Sequence, residues 1–174
     1  MIRLINGRGQ LGEAISSKLD SLSISPYQNS RLFNCDTLIY HTWNIQDKSE
    51  AVQFGLFEEF VDIVNNNKES QILFTSTYSQ QDDWYVHYKQ SAEAYLLNNC
   101  KKGLVLRFPT LIGKGVLPKL KNGKATPHGI MELMSIDTAA DHVIDKINYS
   151  GKVRSFYFAG EKILAKTAQQ ILLL

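Results

Sequence analysis

The sequence predicts an α/β fold, in which a doubly wound, mostly parallel sheet carries helices on both faces. Short apolar runs alternate along the chain with longer stretches whose apolar residues recur at helical spacing. A glycine-rich turn follows the first apolar run, as it does in many sheets of this class. The length of 174 residues fits a single core, so we expect residues 1–174 to form one domain.

Composition and charge exclude several functions. Lys and Arg number 19 against 17 Asp and Glu, a net charge of +2, which lacks the strongly basic character of nucleic-acid binders. No apolar run approaches the roughly 20 residues of a membrane span. Cys35 and Cys100 show no metal-ligand or disulfide pattern, and His87, His128 and His142 have no partners at ligand spacing. We therefore expect no metal and a cytoplasmic protein.

The apolar pattern predicts the secondary structure in order. Each apolar run of four to eight residues is interpreted as a strand, and each longer periodic stretch as a helix. Strands are predicted at 2–5, weakly at 23–27, and at 36–41, 71–75, 103–108 and 155–159; helices at 11–22, 51–65, 85–98, 137–148 and from about 162; and a residual substrate loop at about 113–135.

Residues 7–12 have the pattern G-x-G-x-x-G between a predicted strand and a predicted helix. In that context the first glycine makes a tight turn, the second lets the backbone approach a pyrophosphate, and the third allows close helix packing. The N–H groups at the start of the helix attract phosphate oxygens. The alternative is that the glycines only form the turn. The predicted cofactor-binding residues here are Gly7, Arg8, Gly9, Gln10, Leu11 and Gly12.

The region that follows the first helix bears on the choice between NAD and NADP. A carboxylate about 20 residues after the glycine motif would bind the adenosine 2′-hydroxyl of NAD, but residues 27–31 contain none. Arg31 and Arg8 could instead donate hydrogen bonds to a 2′-phosphate. The pattern favours NADP over NAD, with two solvated arginines as the alternative.

Tyr85 and Lys89 form a Y-x-x-x-K pair on a predicted helix. The four-residue spacing places both side chains on one helix face. A nearby ammonium group favours the phenolate, so we expect Lys89 to lower the pKa of Tyr85 and make it a proton donor and acceptor. The alternative is that Tyr85 packs in the core and Lys89 is solvated.

Together these motifs resemble the short-chain dehydrogenase/reductase superfamily, in particular its extended branch of nucleotide-sugar epimerases, dehydratases and dTDP-4-dehydrorhamnose reductases. The glycine motif and the Tyr85–Lys89 pair stand in the family's order. The resemblance implies a Rossmann-like fold. Further stretches that resemble the family are 35–41, 72–78, 92–93, 104–113, 135–140 and 155–160.

The resemblance also implies a function and its residues. Members transfer a hydride between a nicotinamide and a carbonyl or hydroxyl group, with a small-molecule substrate that could be a nucleotide sugar. Thr77, with Ser76 as the alternative, would hold the substrate oxygen, Tyr85 would act as acid or base, and Lys89 would orient the ribose. Phe108 and Pro109 would line the nicotinamide side of the cleft, while His41 and Trp43 would border the cofactor.

The chain departs from the family in length. Only seven residues separate Thr77 from Tyr85, and the segment at 113–135 is far shorter than a substrate domain. Trp43, Trp84 and residues 171–174 could be exposed apolar surface on so small a domain, which favours a homo-oligomer. Three functions remain open: a small reductase, a non-catalytic NAD(P)-binding sensor or accessory subunit, and a domain that binds no nucleotide.

Overall fold

The computed structural model describes residues 2–5, 9–22, 36–41, 43–77, 79, 81–112, 121–122, 129–167 and 170. Within them the chain alternates strands and helices from the start. The elements are β1 (Ile2–Ile5), α1 (Gln10–Ser21), β2 (Thr37–Tyr40), α2 (Glu50–Asn66), β3 (Gln71–Thr77), α3 (Trp84–Asn99), β4 (Gly103–Phe108), β5 (Thr110–Ile112), β6 (Ile130–Ser135), α4 (Ile136–Asp145), β7 (Ser155–Tyr157) and β8 (Glu161–Leu164).

Five parallel strands form the main sheet in the order β1-β2-β3-β4-β7. Tyr40 at the end of β2 pairs with Phe74, and β3 continues for three more residues to Thr77, which pairs with Phe108 of β4. Because all five strands run the same way, their carboxyl ends lie along one edge of the sheet. Ligands bind at this edge in open α/β sheets.

Alternate residues of each strand face opposite sides of the sheet, so the sheet supports two apolar layers. On one side, α1 and α4 pack on a buried cluster that includes Leu4, Ile39 and Leu73. On the other side, α2 and α3 pack on a cluster that includes Tyr40 and Phe74. The predicted α/β class, with a mostly parallel sheet and helices on both faces, is confirmed.

The local sequence explains where two helices begin. The carboxylate of Asp83 accepts a hydrogen bond from the backbone N–H of Val86, 2.9 Å away, and caps the first turn of α3. The hydroxyl of Ser135 accepts one from the N–H of Thr138 at 3.0 Å and caps α4. Such caps satisfy N–H groups that have no partner within the helix.

Two expectations for the C-terminal half were wrong. The predicted closing helix from residue 162 is preceded by strand β8, and residues 130–135 of the predicted loop form strand β6. These strands join β5 in a second, three-stranded sheet in which β6 and β8 are antiparallel. Lys162 and Glu132 pair across the two strands at 3.5 Å. Pairing between segments distant in sequence overrode the local helical pattern.

In the part of the chain that the structure describes, every helix is too short or too polar to cross a membrane.

Candidate cofactor and active site

The N terminus of α1 lies at the carboxyl edge of the main sheet, as the glycine motif predicts. Gly9 is the residue that precedes the helix, in an extended conformation with φ −85° and without a side-chain cap. A methyl group added at Gly9 would lie 3.6 Å from Cε1 of His41, an ordinary contact distance. The N–H groups of the first turn thus have no side-chain acceptor at Gly9 and suit an anion.

Two polar side-chain atoms near this edge are buried without a hydrogen-bond partner among the described residues, Nε2 of His41 and Oγ of Ser76. Burial, reinforced by the positive charge of Lys89, lowers the pKa of His41 to about 4, so its imidazole is neutral at pH 7. Buried polar atoms without partners are rare and call for an explanation. Each of the two atoms is therefore a candidate partner for a polar ligand at the end of its own strand, with His41 on the side of Gly9.

Lys89 lies in α3, which packs on the main sheet, and the residue is only 6% exposed. Its ammonium nitrogen donates a hydrogen bond to the backbone oxygen of Thr75 at 3.0 Å. It also lies 5.5 Å from the centroid of the Tyr85 ring. Burial lowers the pKa of Lys89 to about 8, against the attraction of Glu93. The predicted pair is therefore in contact, but the ammonium group is buried in the protein and not solvated.

The expected effect of Lys89 on Tyr85 was wrong. Burial, with a contribution from the negative charge of Asp83, raises the pKa of Tyr85 to about 12. Desolvation disfavours the phenolate more than the nearby ammonium favours it. In this structure Tyr85 is a neutral phenol throughout the physiological pH range.

Thr77 ends β3 and lines a cavity of about 530 Å³. Its hydroxyl oxygen accepts a hydrogen bond from the backbone N–H of Ser79 at 3.1 Å. The cavity lies between α3 and the edge formed by β4 and β7, and neither Tyr85 nor Lys89 lines it. The structure thus brings Lys89 and Tyr85 together and places Thr77 on a neighbouring cavity, which is lined by Thr77, Ser79, Gln90, Glu93, Ala94, Leu97, Arg107 and Tyr157.

A buried ion pair forms one wall of this cavity. Nε of Arg107 donates to both carboxylate oxygens of Glu93, at 3.1 and 2.9 Å. The guanidinium also contacts the Ser155 hydroxyl and lies 4.7 Å from the centroid of the exposed Tyr157 ring. Two-point contact with a carboxylate fixes a guanidinium in orientation as well as position. The pair therefore ties α3 to β4 and β7.

The remaining predicted site residues have mixed outcomes. Phe108 and Pro109 are buried, and the Phe108 ring stacks on Phe158 with ring centroids 5.0 Å apart. Trp43 was expected at the surface but is buried against Phe60 and Phe74, and Gln53 accepts its indole N–H at 2.7 Å. Gly7, Arg8 and Arg31 lie outside the described residues.

Sequence analysis missed a second lysine at this site. Lys48, from the segment between β2 and α2, lies 5.3 Å from the centroid of the Tyr85 ring. It also pairs with Asp83, the residue that caps α3. No motif identifies Lys48, because its place beside Tyr85 depends on the path of the chain after β2.

In the described ranges no three His, Cys, Asp or Glu side chains cluster as metal ligands do.

Comparison with known proteins relates the chain to one class of fold. No protein-family model matches the sequence, and no curated protein matches it. Solved structures do match. The WbmG enzyme of Bordetella bronchiseptica, in complex with NAD and UDP, has a TM-score of 0.78 at 11% identity and covers 99% of this chain and 76% of its own.

Two further structures agree with this match. UDP-N-acetylglucosamine 4-epimerase from Bacillus cereus has a TM-score of 0.72 at 16% identity, over 97% of this chain and 81% of the epimerase. dTDP-4-dehydrorhamnose reductase from Yersinia enterocolitica has a TM-score of 0.74 at 17% identity, over 96% and 77%. The chain is a Rossmann-like α/β protein. More particularly, it has the fold of this epimerase, this reductase and the enzyme solved with NAD and UDP, which confirms, for the fold, the resemblance that the motifs predicted.

Proposed function

We propose that the chain binds NAD or NADP at the N terminus of α1 and transfers a hydride to or from a carbonyl or hydroxyl group of a nucleotide sugar or a related metabolite. The observation that carries the proposal is the placement of Lys89. A buried ammonium group beside a tyrosine, at the carboxyl edge of a parallel sheet, is costly to the fold. Costly buried charges are typical of functional sites.

The residues present fit a dinucleotide. The first turn of α1 offers N–H groups to a pyrophosphate, and Gly9 keeps that approach free of a side chain. Among the described residues, His41 and Ser76 each have a buried polar atom without a hydrogen-bond partner. Gly7, Gln10, Leu11 and Gly12 would complete the phosphate site, and Arg8 with Arg31 would favour NADP. Bound there, the nicotinamide would supply the hydride acceptor or donor.

The chain's own residues would hold the substrate and move the proton. Thr77, which lines the neighbouring cavity, would donate a hydrogen bond to the substrate oxygen. Tyr85 would give or take the proton of that oxygen, and Lys89 would bind the ribose hydroxyls and orient Tyr85. Phe108 and Pro109 would border the nicotinamide through their backbone. The three solved structures support this class of reaction, because they are an epimerase, a reductase and an enzyme solved with NAD and UDP.

A glycine substitution tests the cofactor site. Gly9→Ala fits the protein itself, because the φ of residue 9 suits any residue and, among the described residues, the added methyl group meets only His41, at contact distance. It would project where the pyrophosphate lies, so we expect at least about a tenfold loss of NADH and NADPH affinity, equal to about 1.4 kcal/mol. Titration calorimetry measures both ligands, with thermal unfolding as a check on the fold.

Gly55→Ala is the matched control, since it adds the same methyl group in α2, where no atom of the described residues lies within 4 Å. It should leave both affinities unchanged. If the wild type binds neither dinucleotide at millimolar concentration, the domain is not a dinucleotide-binding protein and the proposal fails.

Turnover tests the catalytic residues separately. Wild type, Tyr85→Phe and Thr77→Val would be assayed with a panel of keto-sugar nucleotides and simple carbonyl compounds. We expect Tyr85→Phe to retain cofactor binding and lose at least about a hundredfold in rate, the usual contribution of a general acid. Equal rates in the wild type and Tyr85→Phe would remove Tyr85 from the reaction.

A non-catalytic NAD(P)-binding sensor or accessory subunit is the second candidate. The observation that favours it is the raised pKa of Tyr85, which makes the phenol a poor proton donor and acceptor at pH 7. This candidate predicts tight dinucleotide binding without turnover on any member of the panel.

We also propose a homo-oligomer in the cytoplasm. Trp84 and Phe54 are 42% and 43% exposed, and both contact Tyr88, so α2 and α3 share an exposed aromatic patch. Exposed patches of this kind are common at subunit interfaces. Light scattering at several concentrations tests the proposal, and a monomer at all of them would exclude it.

A further inference from the structure

Lys48 belongs to the segment that connects β2 to α2, and its side chain contacts residues just before α3. Its ammonium nitrogen lies 2.5 Å from Oδ2 of Asp83. The other carboxylate oxygen of Asp83 accepts the N–H of Val86, so one carboxylate both caps α3 and pairs with Lys48. Lys48 also lies 3.4 Å from the side-chain oxygen of Gln81. Lys48 thus contacts the short connection that leads into Tyr85.

The segment that carries Lys48 is held firmly. Gln53 of α2 is fully buried and accepts the indole N–H of Trp43 at 2.7 Å. Its amide nitrogen donates to the backbone oxygens of Asn44, at 2.7 Å, and Asp47. The side chain of Asn44 accepts the N–H of Asp47 at 3.1 Å. A fixed backbone at 43–47 reduces the entropy lost when Lys48 is ordered.

Tyr85 consequently has an ammonium group near its ring from each of two elements. Lys48 is 5.3 Å and Lys89 5.5 Å from the ring centroid. Both distances are within the range in which a cation is attracted to an aromatic face. Lys48 is 41% exposed whereas Lys89 is buried, so the two lysines differ in their access to solvent.

We propose that Lys48 is a positioning residue for Tyr85: it neutralises Asp83, fixes the first turn of α3 and holds the Tyr85 ring. The inference rests on the proposed function, in which Tyr85 moves the proton. Lys48 would act through Asp83 and Tyr85, the residues that it contacts. Among the described residues, the charged groups that face Tyr85 are Lys48 between β2 and α2, Asp83 before α3 and Lys89 within α3.

A direct titration of residue 85 tests the proposal without any substrate. A fluorinated tyrosine in place of Tyr85 ionises at lower pH than tyrosine, and its fluorine NMR shift reports the phenolate. In Lys48→Met the charge of Asp83 is left without its counter-charge. We therefore expect the pKa of the fluorinated tyrosine at position 85 to rise by about 0.5 to 1 unit. Lys48→Arg should restore most of the change, because it keeps the positive charge.

Two further variants separate the proposed cause from general effects. Lys18→Met removes another lysine that pairs with an aspartate, Asp141 at 2.7 Å, far from Tyr85, and should leave the titration unchanged. Asp83→Asn keeps an oxygen to cap α3 but removes the charge. In the double variant Lys48→Met/Asp83→Asn the pKa of residue 85 should return to near the wild-type value, because loss of the carboxylate lowers this pKa while loss of the ammonium group raises it.

The possible outcomes are distinct. An unchanged titration in Lys48→Met, an equal shift in Lys18→Met, or no recovery in the double variant overturns the inference. If the wild type shows no turnover while Lys48→Met shifts the titration as expected, the proposed reaction fails and the positioning role stands. If turnover is found but the titration does not move, the reaction stands and Lys48 has no such role.

Discussion

The ammonium nitrogen of Lys89 donates a hydrogen bond to the backbone oxygen of Thr75, 3.0 Å away. Among the described residues this is its one hydrogen bond. Three aromatic rings surround the rest of the group, with centroids 5.4 to 5.8 Å from the nitrogen, those of Trp43, Phe74 and Tyr85. A buried ammonium group with three donors and one acceptor is poorly compensated. Its cost is consistent with a role other than stability.

Lys89→Met is therefore expected to stabilise the fold while removing the site. At pH 7 the loss of the desolvation penalty should raise the free energy of unfolding by about 1 to 3 kcal/mol. Burial lowers the pKa of Lys89 to about 8, whereas the unfolded lysine keeps its proton until above pH 10. Because the unfolded state binds more protons in that window, wild-type stability should rise between pH 8 and 10 relative to Lys89→Met.

Lys102→Met is the control for this prediction. Lys102 also donates to a backbone oxygen, that of Glu69 at 3.1 Å, but it is exposed. Urea unfolding at pH 7, 8, 9 and 10 compares the three proteins. A loss of stability in Lys89→Met at pH 7 would show that Lys89 supports the fold.

His41 should make stability fall in mild acid. Its folded pKa of about 4 is below that of an unfolded histidine, near 6.5. The unfolded state therefore binds an extra proton between these values, and stability present above pH 6.5 is lost as the pH falls towards 4. The loss should be about 2 to 3 kcal/mol. His41→Gln should show a shallower slope than the wild type, while His87→Gln, at an exposed position, should keep the wild-type slope in urea unfolding.

Tyr40→Phe should leave stability unchanged or raise it by up to about 1 kcal/mol. The hydroxyl of Tyr40 is buried without a partner among the described residues, and the ring packs on Phe60 at 4.9 Å. Removal of an unpaired buried hydroxyl relieves its desolvation cost. Tyr95→Phe is the matched control, because it removes a hydroxyl that bonds Asn65 at 2.9 Å. Thermal unfolding should order the variants Tyr40→Phe, wild type, Tyr95→Phe; the reverse order would contradict the prediction.

Glu93→Gln should destabilise the protein by about 3 kcal/mol, because it leaves the guanidinium of Arg107 largely buried without a counter-charge. Asp141→Asn is the control: its partner Lys18 forms an ion pair at the surface, where such pairs contribute little. Chemical unfolding of both variants measures the difference. If the two variants lose the same free energy of unfolding, the buried Glu93–Arg107 pair contributes no more to stability than the exposed Lys18–Asp141 pair.

The parts of the fold that the sequence predicted well are those with a local signal. β4 was expected at 103–108 and occupies those residues, and helices expected at 51–65 and 85–98 extend one residue further at each end. In these segments the apolar period matches the burial that the sheet imposes. Strand β8 was missed because residues 161–164 acquire their strand conformation from pairing with β6.

In the candidate site, too, the sequence predicted local relationships and missed those between residues distant in sequence. Spacing alone placed Tyr85 and Lys89 on one helix face, and their contact agrees with that. The direction of the Tyr85 pKa shift depends on burial by residues far away in sequence, which spacing does not reveal. Lys48 and Gln53 were missed for the same reason: their roles come from the folding of 43–53 against α3.

The connection between the two sheets has a mechanical consequence. Only Pro109 separates β4 from β5, and only residues 158–160 separate β7 from β8. A methyl group on Gly160 would lie 2.4 Å from the backbone oxygen of Leu133 and 2.9 Å from Cγ of Pro109. The connection at 158–160 therefore packs directly against Pro109, the connection between β4 and β5. Two connections this short, packed against each other, leave little freedom for one sheet to rotate relative to the other. A displacement of the three-stranded sheet should therefore also displace the carboxyl end of β4.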